Sequence, residues 1–168
     1  MRFLDKLKGA GQPLPPRLGA ARIGLIGLGA GIAIGTLMLA ANLFNATLLL
    51  ASFGASAALV FGYPESPLAQ PRNVVLGHVI GSSAGLLCLH LFGTGPGPAA
   101  LAVGGGLAVM LMLRCPHPPA CSNPLIVMLL QPGWGFVLWP TLTGTVLLVV
   151  LGMLYNNATR AHHYPRYW

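Results

Sequence analysis

The chain has 168 residues, of which 55% are hydrophobic and only 7% charged, against about 45–50% and about 25% in soluble globular domains. Nine Lys and Arg and two Asp and Glu give a formal net charge of +7, too few charges to cover a soluble surface. This excludes a soluble enzyme, a disordered tail and a disulfide-stapled secreted domain, and it leaves a protein immersed in the lipid bilayer.

Residues 1–22 read as a basic cytoplasmic leader, 23–156 as the transmembrane domain, and 157–168 as an aromatic and basic cytoplasmic tail. Apolar runs fall at about 23–41, 46–62, 74–92, 98–113, 119–130 and 136–155. A spanning helix needs roughly 20 residues, and the fifth run is too short, so it is expected to be a broken or half-helix. A signal peptide is set aside, because the first run exceeds the usual apolar core of one and all that follows is equally apolar.

With six crossings and a cytoplasmic amino terminus, Arg72, Arg114, Arg160 and Arg166 all lie on the same side as the leader, as the positive-inside bias requires. The basic residues form no single stripe, and no nucleic-acid partner is expected. Three elements per half would place the second half upside down relative to the first. The expected fold is therefore an all-α membrane protein of two inverted three-element repeats. Glycines at four-residue spacing, Gly27-Gly31-Gly35 and Gly77-Gly81-Gly85, predict two faces for close helix packing.

Two polar stretches interrupt the apolar pattern. The first, 63–73, holds three prolines and is expected to be a loop, with Arg72 as an anion donor assisted by Gln70 and Asn73. The second, 114–124, runs Arg114-Cys115-Pro116-His117-Pro118-Pro119-Ala120-Cys121-Ser122-Asn123-Pro124. Its prolines predict extended backbone, tolerated at membrane depth only inside protein or along a wet cavity. A helix start after Pro119, and another within Gly54-Ala55-Ser56 of the second run, would aim free N–H groups at an anion. Ser122 completes the expected pore lining, and His117 could donate to the anion or hold a proton.

Alternatives accompany these expectations. Cys115, His117 and Cys121 have a spacing that a soft-metal transporter could use, although no fourth ligand is evident. His78 and His90 lie about 120° apart around one helix and are expected to be structural, as is the solvated pair His162-His163. Trp134, Trp139, Tyr155, Tyr164, Tyr167 and Trp168 read as interface anchors.

Phe53-Gly54-Ala55-Ser56-Ala57, Pro67-Leu68-Ala69-Gln70-Pro71-Arg72-Asn73 and His117-Pro118-Pro119-Ala120 resemble, in order, the signature blocks of the HPP family of integral membrane proteins. The resemblance extends from about residue 20 to 156. It implies a multi-pass protein, and because plastid and cyanobacterial relatives are associated with nitrite, it implies small-anion transport. It also implies required roles for Arg72, Asn73, His117, Pro118 and Pro119. The chain departs from the family after Ala120, where Cys121-Ser122-Asn123-Pro124 replaces small residues.

The expectation is thus a transporter or channel for a small monovalent anion, nitrite foremost. The chain is expected to have no enzymatic activity and no cofactor, to form a homo-oligomer, and to sit in a bacterial inner membrane with both termini cytoplasmic. No acidic residue falls within an apolar run, whereas a proton-coupled cation pump would want one there. The alternatives are the soft-metal transporter and a non-transporting membrane assembly protein.

Overall fold

Proline sets most of the helix boundaries in the computed structural model, which describes residues 12–43 and 50–168. The first eleven residues of the expected leader and the start of the second run, 46–49, lie outside the described residues. Helices α1 (Ala20–Leu43), α2 (Leu50–Gly62), α3 (Pro71–Phe92), α4 (Pro96–Met112), α5 (Asn123–Leu130) and α6 (Thr143–Thr159) follow in chain order, and no strand occurs among the described residues. Pro71, Pro96 and Pro124 each occupy the first turn of their helix, where a missing N–H breaks no hydrogen bond. Gly93 closes α3 at φ 74°, and Gln131 closes α5 at φ 48°.

Three helical stretches are long and apolar enough to cross a bilayer: Ala20–Leu43, Pro71–Phe92 and Val137–Thr159. The third contains a break, because Trp139 is extended (φ −134°, ψ 119°) and Pro140 follows it inside the wide turn Val137–Leu142. As its sequence length demands, α5 is short: its 8 residues cover about 12 Å. It is entered through a 3-10 turn, Pro118–Ser122.

Helix α3 is the central post. It packs against α4, α5, α6 and both short turns, while α1 packs against α2 and α6. Hydrogen bonds tie one end of the bundle together. Arg72 at the start of α3 donates to the Leu113 carbonyl beyond α4 (3.1 Å), Tyr155 Oη of α6 to Leu25 O of α1 (2.8 Å), and Arg160 to Phe61 O of α2. The basic residues Arg22, Arg72, Arg114, Arg160 and Arg166 therefore collect at that end.

The two glycine series behave differently. A Cβ on Gly77 would lie 2.7 Å from His117 Cβ, one on Gly85 2.8 Å from Pro124 Cα, and one on Gly81 would strike the Ala120 carbonyl oxygen. That series is the seat of Pro118–Ser122 and α5. Gly27, Gly31 and Gly35 have nothing within 4 Å among the described residues, so the expected close packing does not occur there among them. The contact glycine of α1 is Gly29, against Tyr155 and Phe61, since the inward stripe of α1 runs through Gly29, Ala33, Leu37 and Ala41.

The tail is docked rather than solvated along its length. Tyr164 is buried with its hydroxyl donating to Ala69 O (2.7 Å), the Arg166 N–H donates to Gln70 Oε1 (2.7 Å), and Tyr167 Oη donates to Pro67 O (3.1 Å). Tyr164 is thus a core residue and not an interface anchor, whereas Trp134, Trp139, Tyr167 and Trp168 are exposed to the surroundings and His162 and His163 stay at the surface.

Candidate functional site

Beneath the basic end, α2, α3, the Pro118 segment with the start of α5, and the wide turn Val137–Leu142 bring together side chains that lipid cannot solvate. Ser56, His78, Ser82, His117, Asn123 and Thr141 are all fully buried. Ser56 Oγ lies 2.8 Å from His78 Nε2 and 2.8 Å from His117 Nε2, bridging the two rings. His117 Nδ1 donates to the Leu68 carbonyl (2.8 Å). On the other side, Asn123 Nδ2 faces His78 Nδ1 (3.0 Å) and donates to Ser82 Oγ (3.0 Å), which pairs with Thr141 Oγ1 (3.0 Å). The result is a polar filament from the Leu68 carbonyl through two imidazoles to Thr141.

Its position follows from helix geometry. His78 is about 10 Å along α3 from Pro71, and Ser82 about 6 Å further, so the filament starts near the basic end and reaches the middle of the bilayer. Phe53 closes one side with its ring edge-on to His78 (5.3 Å between centroids). The glycine seat closes another, since only glycine at 77 and 81 lets His117 and Ala120 approach α3 this closely. A separate cavity of about 450 Å³ opens at the basic end between α1 and α6, lined by Arg22, Glu65, Tyr155, Arg160 and His162 among others.

Of the residues singled out in the sequence, Ser56 and His117 enter the filament and the others do not. Gly54 and Ala55 face outward from inside α2. That helix starts at Leu50, so the helix start expected at 54–56 is absent and those N–H groups serve the helix. Ala120 is buried against Gly77 and Gly81, but its N–H donates to His117 O (3.0 Å). The pair of opposed helix starts with free N–H groups is therefore not formed. Pro118 and Pro119 lie in a 3-10 turn rather than extended chain, and Ser122 Oγ donates back to Pro119 O (2.7 Å).

The 63–73 stretch is also more ordered than a loop. Ser66 caps a 3-10 turn, Pro67–Ala69, and α3 begins at Pro71, so Arg72 and Asn73 are helical. Gln70 spends both amide hydrogens on Pro64 O and Ser66 O (2.9 Å each), and Asn73 spends its own on Pro67 O (3.0 Å) and Pro116 O (3.2 Å). These two fasten the chain segments that hold His117 and are not donors to a ligand. Arg72 and Arg114 stand exposed at the basic face, with Arg114 at φ 54° turning the chain out of α4. Among the described residues no three His, Cys, Asp or Glu side chains converge as metal ligands. Cys115, His117 and Cys121 accordingly do not make the soft-metal site their spacing allowed.

The profile of the HPP transmembrane region matches residues 15–165. The chain belongs to the HPP family. Two transmembrane proteins of Dictyostelium discoideum are similar to it: one is 36% identical over 71% of this chain and 45% of its own length, the other 35% identical over 100% of this chain and 58% of its own length. The chain thus spans about half the length of these curated relatives. No solved structure matches it.

Sequence reasoning missed His78, Asn123, Ser82 and Thr141. The helical-wheel separation of His78 and His90 was correct, and His90 does sit at the surface with Nδ1 on Leu86 O (2.8 Å). The available signal was simpler: an ionisable residue in the middle of an apolar span needs a partner inside the protein.

Proposed function

We propose that this HPP protein carries a small monovalent anion across the membrane, nitrite being the first candidate. The observation that supports the reading is the filament itself: hydroxyl, amide and imidazole groups buried beneath a face where the arginines gather, with neither acidic residue of the chain, Asp5 or Glu65, in a described helix. Neutral donors of this kind, once an opening movement exchanges their mutual hydrogen bonds for the ligand, hold an anion at low dielectric without trapping it as a fixed ion pair would. The exposed arginines and the cavity lined by Arg22, Arg160 and His162 would raise the local anion concentration at the mouth.

The sealed packing around His117 and Ala120 favours a carrier caught closed over a continuously open channel. The inverted-repeat reading draws support from the middle helix of each half, α2 and α5, which supply Ser56 and Asn123 to the two ring nitrogens of His78. By the positive-inside bias the arginine face is cytoplasmic, which puts both ends of the described chain inside the cell; in a bacterium the membrane would be the inner one. The open glycine face at Gly27, Gly31 and Gly35 suits packing against a second copy.

The test is flux in liposomes holding the purified full chain, with nitrite offered against chloride and nitrate and with protein-free liposomes as control. Saturable nitrite uptake, lost in His117→Ala and Ser56→Ala but kept in His90→Ala, is the expected result. No flux of any small anion through folded protein would refute it and leave a non-transporting role.

A further inference from the structure

The hydrogen atoms of the filament can be assigned by elimination. The Leu68 carbonyl can only accept, so His117 Nδ1 carries the hydrogen. A neutral His117 then has its lone pair at Nε2, and the group that reaches it is the Ser56 hydroxyl at 2.8 Å. With its hydrogen committed to His117, Ser56 Oγ accepts from His78 Nε2, also at 2.8 Å. His78 Nδ1 is left as an acceptor, and of the two Asn123 amide atoms beside it Nδ2 at 3.0 Å, closer than Oδ1 at 3.3 Å, fills it. Each donor in this chain points the same way, from Asn123 toward Leu68.

Ser56 has one further contact that the neutral arrangement leaves unused. Its Oγ is 2.9 Å from the carbonyl of Ser52, one turn back in α2. If a proton arrives at His117 Nε2, the Ser56 hydroxyl can turn its hydrogen from His117 to Ser52 O, and Ser56 Oγ then accepts from both rings through its two lone pairs. One N–H bond forms, no heavy atom has to move, every polar atom of the bridge stays paired, and the charge rises by one. A carbonyl one turn back is the ordinary alternative acceptor for a helical hydroxyl, as at Thr36, Thr145 and Thr159; what sets Ser56 apart is that two imidazoles meet the same oxygen.

We propose that Ser56, His78 and His117 form a binding site for one proton, taken up at His117 Nε2 from the aqueous phase of the basic face and returned to water. A second proton is disfavoured because the ring centroids are 5.1 Å apart and two imidazolium charges would repel across a low-dielectric interior. On the elements that carry the two rings, the other titratable or charged side chains are Arg72, Cys88 and His90 of α3 and Arg114, Cys115 and Cys121 on either side of His117, while α2 carries none. Among the described residues, the hydrogen bonds to the two rings come instead from Ser56, Asn123 and the Leu68 carbonyl.

Protonation would create a buried positive charge beneath the arginine face, where among the described residues no lysine or arginine side chain is buried. A monovalent anion arriving beside it would travel as a neutral pair, avoiding the large cost of a bare charge in a low dielectric. This coupling role rests on the anion reading above; the proton site does not.

The experiment is solid-state NMR of the full chain in lipid bilayers, ring-¹⁵N labelled at histidine, from pH 4 to 9. Substituting His90, His162 and His163 by glutamine isolates the two buried rings. Conversion of one ring nitrogen per chain, His117 Nε2, from bare to protonated while His78 Nε2 stays protonated is expected. Ser56→Ala should move that transition by about one pH unit or more, and Ser56→Thr, which keeps the hydroxyl, should leave it near the native position. Two rings that hold fixed neutral tautomers across the whole range in folded protein, or that take up two protons, would overturn the proposal. Proton uptake measured beside nitrite uptake in liposomes separates the two readings. Nitrite flux without proton movement overturns the coupling and leaves transport, whereas an intact titration without flux of any anion overturns transport and leaves the proton site.

Discussion

Replacing Gly81 by alanine would set a methyl group against the Ala120 carbonyl oxygen, with Ala120 C at 3.3 Å and Asn123 Cβ at 3.4 Å. The neighbour is backbone within Pro118–Ser122, held by prolines at 118 and 119, so it cannot swing aside as a flexible side chain would. Overpacking of this kind costs about 1–3 kcal/mol. Moving the turn also stretches the Asn123 contacts to His78 and Ser82, both 3.0 Å, and interhelical hydrogen bonds in membranes contribute about 0.6 kcal/mol each on average. The expected loss is therefore about 2–4 kcal/mol. Gly31→Ala is the matched control. Its methyl meets nothing within 4 Å, and alanine in a helix interior is favoured by roughly 0.5–1 kcal/mol over glycine. Denaturing-detergent titration of both purified variants, followed by helical circular dichroism, measures the difference. Equal midpoints for Gly81→Ala and Gly31→Ala would show that α3 does not seat the Pro118 turn as described.

Asn123→Ala removes donors to His78 and Ser82 and should destabilise the chain by about 1–3 kcal/mol in the same titration, with His90→Ala, exposed on α3, as a surface comparison. Burial pushes the Tyr164 hydroxyl well above the ordinary phenol value near 10. Its stabilising effect is thus fully present below about pH 10 and is lost as the pH rises further, because the unfolded phenol ionises first. Tyr164→Phe should lose about 1 kcal/mol at neutral pH and flatten that alkaline decline, read by unfolding midpoints between pH 8 and 11. Thiol labelling should distinguish two of the cysteines by exposure: burial pushes both thiols up, opposed at Cys115 in part by Arg72, but Cys121 is half-buried while Cys115 is fully buried. A maleimide should react with Cys121 at least tenfold faster than with Cys115 in folded protein, and equal rates would contradict the placement of the 113–117 segment.

Properties that are local along the chain were legible without coordinates. Twenty-odd apolar residues make a span, residues 119–130 are too few to make one, and arginines at alternate loops share one end once the helices alternate in direction. Each of these depends only on length, hydropathy or charge. Membership of the HPP family rested on blocks of consecutive residues, and it too could be read directly.

Which faces meet was decided only in three dimensions. Gly27-Gly31-Gly35 and Gly77-Gly81-Gly85 have the same spacing, yet among the described residues only the second packs, because the inward side of α1 is set by where α6 places Tyr155. Gln70 and Asn73 have the donors an anion site needs, but neighbouring carbonyls consume them. His78 and His117 are 39 positions apart and meet through Ser56, a residue from a third element. A hydrogen bond across such separations carries no periodic signature, so the sequence determined that buried polar groups must find partners, and the tertiary structure alone chose them.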